Sequence, residues 1–111
     1  MIGRCFVVPW RDRMSWMEEI HIRTTDTPRD VIVSELINQR PALQDPEESV
    51  TMRIFLHAVV DTDLCIHLHW QKKRFTPKGS PVGQKLAGGL RMVCQVKHTV
   101  WKQVPLHRSS A

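Results

Sequence analysis

The chain has no tyrosine, and aromatic residues make up 6% of it, which is low for a globular protein. Cysteine is scarce too. Cys5, Cys65 and Cys94 are odd in number and far apart, which argues against a secreted disulfide scaffold, gives no zinc-ribbon pair and fits a reducing cytoplasm. No window approaches the roughly 18 apolar residues that span a bilayer, and Met1 to Trp10 reads as neither a membrane span nor a signal peptide. A Gly-x-Ser-x-Gly elbow, a Walker loop and a dinucleotide fingerprint are all missing, which argues against nucleotide-dependent chemistry.

What is present describes one ordinary domain. An apolar fraction of 41% and a charged fraction of 24% exclude disordered and collagen-like chains, and 111 residues suffice for a single core. The net charge of +5 is local, gathered largely in Lys72, Lys73, Arg74 and Lys78. That run reads as a solvated loop or as an anion contact.

The strongest pattern is Leu64 to Trp70, where Leu64, Ile66, Leu68 and Trp70 alternate with Cys65, His67 and His69. This is a strand with two different faces. An earlier strand runs from Trp16 to Arg23, with Ile20 and Ile22 on one side and Glu19, His21 and Arg23 on the other. Thr27 as cap and Pro28 at the first helical position then open a helix. Val31, Leu36 and Ile37 form its buried stripe, widened by Ile32 and Val33, and Pro41 ends it. Val50 to Val59 alternates again as a strand and turns through Asp61, Thr62 and Asp63 into the histidine strand. For the apolar sets of this hairpin to share a face the pairing sum must be even, and a three-residue loop sets His57 opposite His67 and Phe55 opposite His69. Ser80 and Pro81 repeat the cap-and-proline device before Val82, Leu86, Leu90 and Val93 at helical spacing. Gly88 and Gly89 weaken that helix and call for close packing or a bend. Val96 to Lys102 is a last strand.

The order βαββαβ suits an α+β, ferredoxin-like four-stranded antiparallel sheet with two helices on one face. Residues 1–14 read as an N-terminal arm, 15–104 as the domain and 105–111 as a tail. The uncovered sheet face then carries Glu19, His21, Arg23, Phe55, His57, Val59, Cys65, His67 and His69. A second copy is the expected cover.

Gly79-Ser80-Pro81-Val82-Gly83-Gln84-Lys85-Leu86-Ala87 through Val96-Lys97-His98-Thr99-Val100-Trp101 resembles the last helix and strand of the antibiotic biosynthesis monooxygenase-like group of dimeric α+β barrel proteins. The order of elements is similar over about residues 16–104. The resemblance implies a homodimer whose sheets form a barrel, with a pocket between sheet and helices or inside the barrel. Members include cofactor-independent oxygenases of aromatic polyketides, haem-degrading enzymes and isomerase-like proteins. The asparagine, tryptophan and histidine set of the haem-degrading members does not carry over to Asn38, Trp70 and His98.

The expected function is therefore binding of a small organic, for example aromatic, ligand, with cofactor-independent monooxygenase or isomerase activity. The alternative is a non-catalytic homodimeric interaction module. His57, His67 and His69 are the candidate acid/base or ligand-orienting groups, because imidazole exchanges protons near neutrality. His21, Arg23, Arg53, Phe55 and Trp70 are the candidate ligand contacts, the arginines neutralising an anion. His57, His67 and His69 together also have the spacing of a three-nitrogen ligand set for zinc, nickel or iron, but no metal or cofactor is assigned. Nucleic acid is disfavoured as a partner because the open face shows Phe55 without a second aromatic.

Overall fold

The computed structural model describes residues 15–43, 50–71 and 74–104. The arm 1–14, the tail 105–111 and the lysines Lys72 and Lys73 lie outside the described residues. The elements are β1 (Trp16–Thr24), α1 (Arg29–Leu43), β2 (Val50–Leu56), β3 (Asp63–Trp70), α2 (Pro81–Leu90) and β4 (Cys94–Lys102). They build one antiparallel sheet in the order β2-β3-β1-β4, the ferredoxin-like arrangement expected from the sequence. Among the described residues no helix is long and apolar enough to cross a membrane.

The alternation in β1 and β3 decides which face the helices cover. Trp16, Ile20 and Ile22 of β1 and Leu64, Ile66, Leu68 and Trp70 of β3 are buried to within 1% of full burial. As central strands they have their helix-side rows covered along their whole length, whereas the edge strands bury theirs only partly. Trp16 pairs with Trp70 across the strands, their rings stacked with centroids 5.9 Å apart, and Phe75 meets Trp16 edge-on at 5.6 Å.

α2 begins as its sequence dictates. Ser80 caps it in extended geometry (φ −72°, ψ 160°), its hydroxyl accepts the Gly83 N–H at 2.9 Å, and Pro81 occupies a first-turn position that needs no donor. Gly83, Leu86, Ala87 and Leu90 form its buried stripe. Of the two compensations expected for Gly88 and Gly89, close packing is not the one found: among the described residues, a Cβ at either position would meet no atom within 4 Å beyond the backbone of its own helix.

α1 differs from its sequence reading in three respects. The carbonyl of Pro28 accepts from Val31 at 3.1 Å and Ile32 at 3.2 Å, so the proline stands one place earlier, at the cap itself. The buried seam is Ile32 and Leu36, an i, i+4 pair, while Val31 and Ile37 are about half exposed. The helix also runs two residues beyond Pro41 to Leu43. In the last turn a missing donor removes a single backbone bond, which the helix tolerates.

The β2–β3 connection is longer than its turn residues suggest. β2 stops at Leu56, and His57 leaves the strand, its Nδ1 accepting the N–H groups of Val59 at 3.1 Å and Val60 at 2.9 Å. The Arg29 guanidinium donates to the carbonyls of Val60 at 3.2 Å and Asp63 at 3.1 Å and holds the loop against α1. The register is accordingly Arg53 opposite His67, Phe55 opposite Cys65 and Thr51 opposite His69. The expected pairing of His57 with His67 and of Phe55 with His69 is thus displaced by four residues. Because four is even, every face assignment within β2 survives.

Candidate functional site

The sheet face away from the helices brings together Glu19, His21 and Arg23 of β1, Cys65, His67 and His69 of β3, and Arg53 and Phe55 of β2. At its centre Glu19 is the cross-strand partner of His67, and Cys65 lies two residues before His67 on the same side. His67 Nε2 is 3.5 Å from Glu19 Oε2 and 3.6 Å from Cys65 Sγ. The Phe55 ring packs on the imidazole, centroids 4.7 Å apart. His67 is therefore steered from three sides.

The neighbouring titratable groups are pushed in definite directions. Burial, followed by the positive charge of Arg53 and the neighbouring His67, lowers the pKa of His69 below the ordinary imidazole value. Its neutral, proton-accepting form is favoured. Burial, and then the Glu19 carboxylate, raises the Cys65 thiol, so this cysteine is not an activated nucleophile.

At the loop end of the face, His21 and Arg23 converge on Asp63. Arg23 donates Nε to Oδ1 at 2.9 Å and Nη2 to Oδ2 at 3.0 Å, a bidentate pair, while His21 Nε2 stands 3.3 Å from Oδ2. The Thr62 hydroxyl adds a 2.9 Å bond to Oδ1. Both of these expected ligand contacts are thus engaged in pinning the start of β3. The Arg23 hydrogen bond in the first place, with Thr62, the Arg23 charge and His21 behind it, holds the Asp63 carboxyl well below the usual carboxylate range against the opposing effect of burial. A depressed folded-state pKa stabilises the fold above the unfolded value and loses that contribution as pH falls through the folded one. Thermal stability measured from pH 6 downward therefore drops below about pH 4, the ordinary aspartate range, and Asp63→Asn shows a smaller drop than the parent. Parallel acid limbs in the two proteins would refute this role.

The far end of the face opens into a cleft of about 250 Å³ lined by Trp16, Met17, His69, Trp101, Lys102 and Gln103. Trp101 is 54% exposed and donates its Nε1–H to Thr99 Oγ1 at 2.8 Å. It supplies a second aromatic on the open face, which the sequence reading did not place there. A separate groove of about 440 Å³ runs between α1 and α2, lined by aliphatic residues including Ile32, Leu36, Leu86 and Leu90, with Glu35, Gln39 and Lys85 as its polar members. It offers apolar contact and no convergent acid/base pair.

Two expected site residues lie elsewhere. His57 is exposed in the loop, its Nδ1 occupied by backbone donors. Trp70 lies on the helix side, fully buried, and donates Nε1–H to Glu18 Oε2 at 2.7 Å. Glu18 is the residue that the sequence reading missed. It is completely buried, and besides Trp70 it accepts the Ser80 N–H at 3.1 Å, the Ser80 hydroxyl at 2.5 Å and a bond from His98 Nε2 at 2.8 Å. The signal was there: Glu18 occupies the parity of Trp16, Ile20 and Ile22, and an acid in an apolar row requires donors from the opposing layer. With all of these donors satisfied, Glu18 fastens α2 to the sheet. Asn38 is exposed on α1, whereas Trp70 is fully buried.

No family model matches the chain, and no curated protein matches it. Among solved structures it is similar to a conserved protein of unknown function from Bacteroides thetaiotaomicron, described as a possible oxidoreductase. The two agree with a TM-score of 0.61 at 10% identity, over 82% of this chain and 99% of the other. At that identity the likeness is one of fold.

Proposed function

We propose that this chain binds a small organic ligand on its open sheet face, which a second copy covers, in the manner of the dimeric α+β barrel proteins of the antibiotic biosynthesis monooxygenase-like group. The observation that carries this reading is the half-buried pair His67 and His69 beside the exposed rings of Phe55 and Trp101 on a face that the chain's own helices leave open. Apolar rings next to a few convergent polar groups are the usual make-up of a ligand site.

In this reading His69, favoured in its neutral form, accepts a proton from an acidic C–H or O–H of the ligand. Arg53, exposed on the adjacent strand, offsets the resulting negative charge, and His67 orients the ligand. Isomerisation of an enolisable compound and oxygenation of an aromatic enol share that first proton transfer. The description of the Bacteroides protein as a possible oxidoreductase is compatible with the second. His57 and Trp70 have no part in this assignment.

Light scattering gives a dimer at micromolar concentration. With phenolic and enolic aromatics as probes, His69→Gln lowers turnover by about 10²–10⁴-fold, the usual contribution of one acid/base group, and changes the ligand dissociation constant by only a few-fold. Turnover falls in acid as His69 takes up a proton, at a pH below the ordinary imidazole range. A monomer would remove the cover, and turnover unchanged in His69→Gln would remove the catalytic role. A dimer that binds none of the probes would favour an interaction module.

A further inference from the structure

We infer that Glu19, Cys65 and His67 form a three-ligand site for a divalent ion of the zinc class, its fourth position open toward the uncovered side of the sheet. The site is the work of strand geometry. Cross-strand pairing sets Glu19 against His67, and the two-residue repeat of β3 sets Cys65 on the same face, so one carboxylate, one thiol and one imidazole share a single cell of the sheet.

The distances fit an ion. A sulfur about 2.3 Å and a nitrogen about 2.0 Å from a tetrahedral centre stand about 3.5 Å apart, and a nitrogen and an oxygen about 3.3 Å apart. Here Cys65 Sγ is 3.6 Å from His67 Nε2, and Glu19 Oε2 is 3.5 Å from the same nitrogen. All three ligand atoms lie within 4.8 Å of one another. The remaining sulfur-to-oxygen edge lies within the same 4.8 Å, and a small adjustment of the Glu19 side chain, which is 33% exposed, brings it to the edge of a tetrahedral site.

The donor types narrow the ion. Thiolate, imidazole and carboxylate together suit zinc, whose ligand sets draw on these three groups. Three protein ligands with one vacant position is the pattern of a zinc centre that meets a ligand or water. The Phe55 ring packs against the imidazole, centroids 4.7 Å apart, and narrows the room in which the ring can turn. Binding also reverses the local thiol chemistry: burial and Glu19 favour the protonated thiol, whereas a coordinated thiol is deprotonated and releases its proton. The set differs from the three-histidine pattern legible in the sequence, because His57 is four residues out of register with it. One chain builds the whole site, so the inference stands apart from dimerisation, and it shares only His67 with the proposed ligand site.

Cobalt(II) is the probe. Added to the full chain under reducing conditions, it binds one equivalent and gives a thiolate-to-cobalt charge-transfer band in the near ultraviolet together with the visible bands of a tetrahedral ion, and zinc displaces it. Cys65→Ser abolishes the charge-transfer band, whereas Cys5→Ser and Cys94→Ala retain it. His67→Ala and Glu19→Gln each weaken zinc binding by more than roughly tenfold, measured by competition with a chromophoric chelator. A parent protein without the charge-transfer band, a band that persists in Cys65→Ser, or zinc affinity unchanged in His67→Ala overturns the site. The spectrum of the parent decides the matter even where a variant fails to fold, and it reads the same in a monomer or a dimer.

Discussion

Glu18→Ala lowers the free energy of unfolding by about 3–5 kcal/mol, the range for removing one member of a buried, hydrogen-bonded charged cluster. The magnitude follows from what is left behind. Without the carboxylate, the Trp70 indole N–H, the Ser80 N–H and hydroxyl, and His98 Nε2 lose their acceptor in a place that water does not reach freely. Each stranded buried donor costs about 1–3 kcal/mol before relaxation. A domain of this size has about 5–15 kcal/mol in total, so the variant sits near the edge of folding. Glu18→Gln retains the shape and one acceptor but turns an amide NH₂ toward existing donors, and loses about 1–3 kcal/mol. Urea unfolding measures both, with the slope against denaturant unchanged because the surface exposed is the same. A loss below about 1 kcal/mol for Glu18→Ala would show that the cluster contributes little and that α2 is held by its apolar stripe.

That cluster marks the limit of what the residue pattern discloses. The two faces of β1 and β3 follow from period-2 alternation, because parity survives errors in loop length, whereas the element order also rests on the two proline-marked helix starts and the strand order on the ferredoxin-like arrangement that this element order suits. The hairpin register did not follow, since it depends on where β2 ends, and β2 ends where the His57 imidazole captures two backbone N–H groups. Histidine is an uncommon turn former, and nothing in Val50 to Val59 announces that it acts as one. The gathering of Cys65, His67 and His69 on one face was legible from a single strand. Glu19 as the nearest partner of His67 required the β1–β3 register, a contact between strands 48 residues apart at that pair, which no local pattern encodes. Likewise Val31 and Ile37 are as apolar as Ile32 and Leu36, and only the position of the sheet selects which pair it buries.

The four glycines around α2 respond to alanine in opposite directions, although three share one helix. Gly88→Ala and Gly89→Ala each stabilise the fold by about 1 kcal/mol, because the new methyl meets open space and the chain loses less backbone entropy on becoming helical. Gly83→Ala destabilises by about 1–3 kcal/mol despite the same gain in propensity, because its Cβ would overlap the Glu18 carboxylate. That carboxylate cannot retreat without breaking its bonds to Trp70, Ser80 and His98. Gly79→Ala adds backbone strain to a similar collision, since its φ is +93° and its Cβ would lie 2.5 Å from Glu18 Oε1 and 2.7 Å from His98 Cε1. Chemical denaturation of the four single variants tests the signs. A double-mutant cycle tests the cause: with Glu18 already alanine the collision at Gly83 disappears, so the second substitution becomes neutral or stabilising and the two effects fall short of additivity by at least about 1 kcal/mol. Additive losses would mean that Gly83 is needed for some contact other than the close approach of α2 to the buried carboxylate.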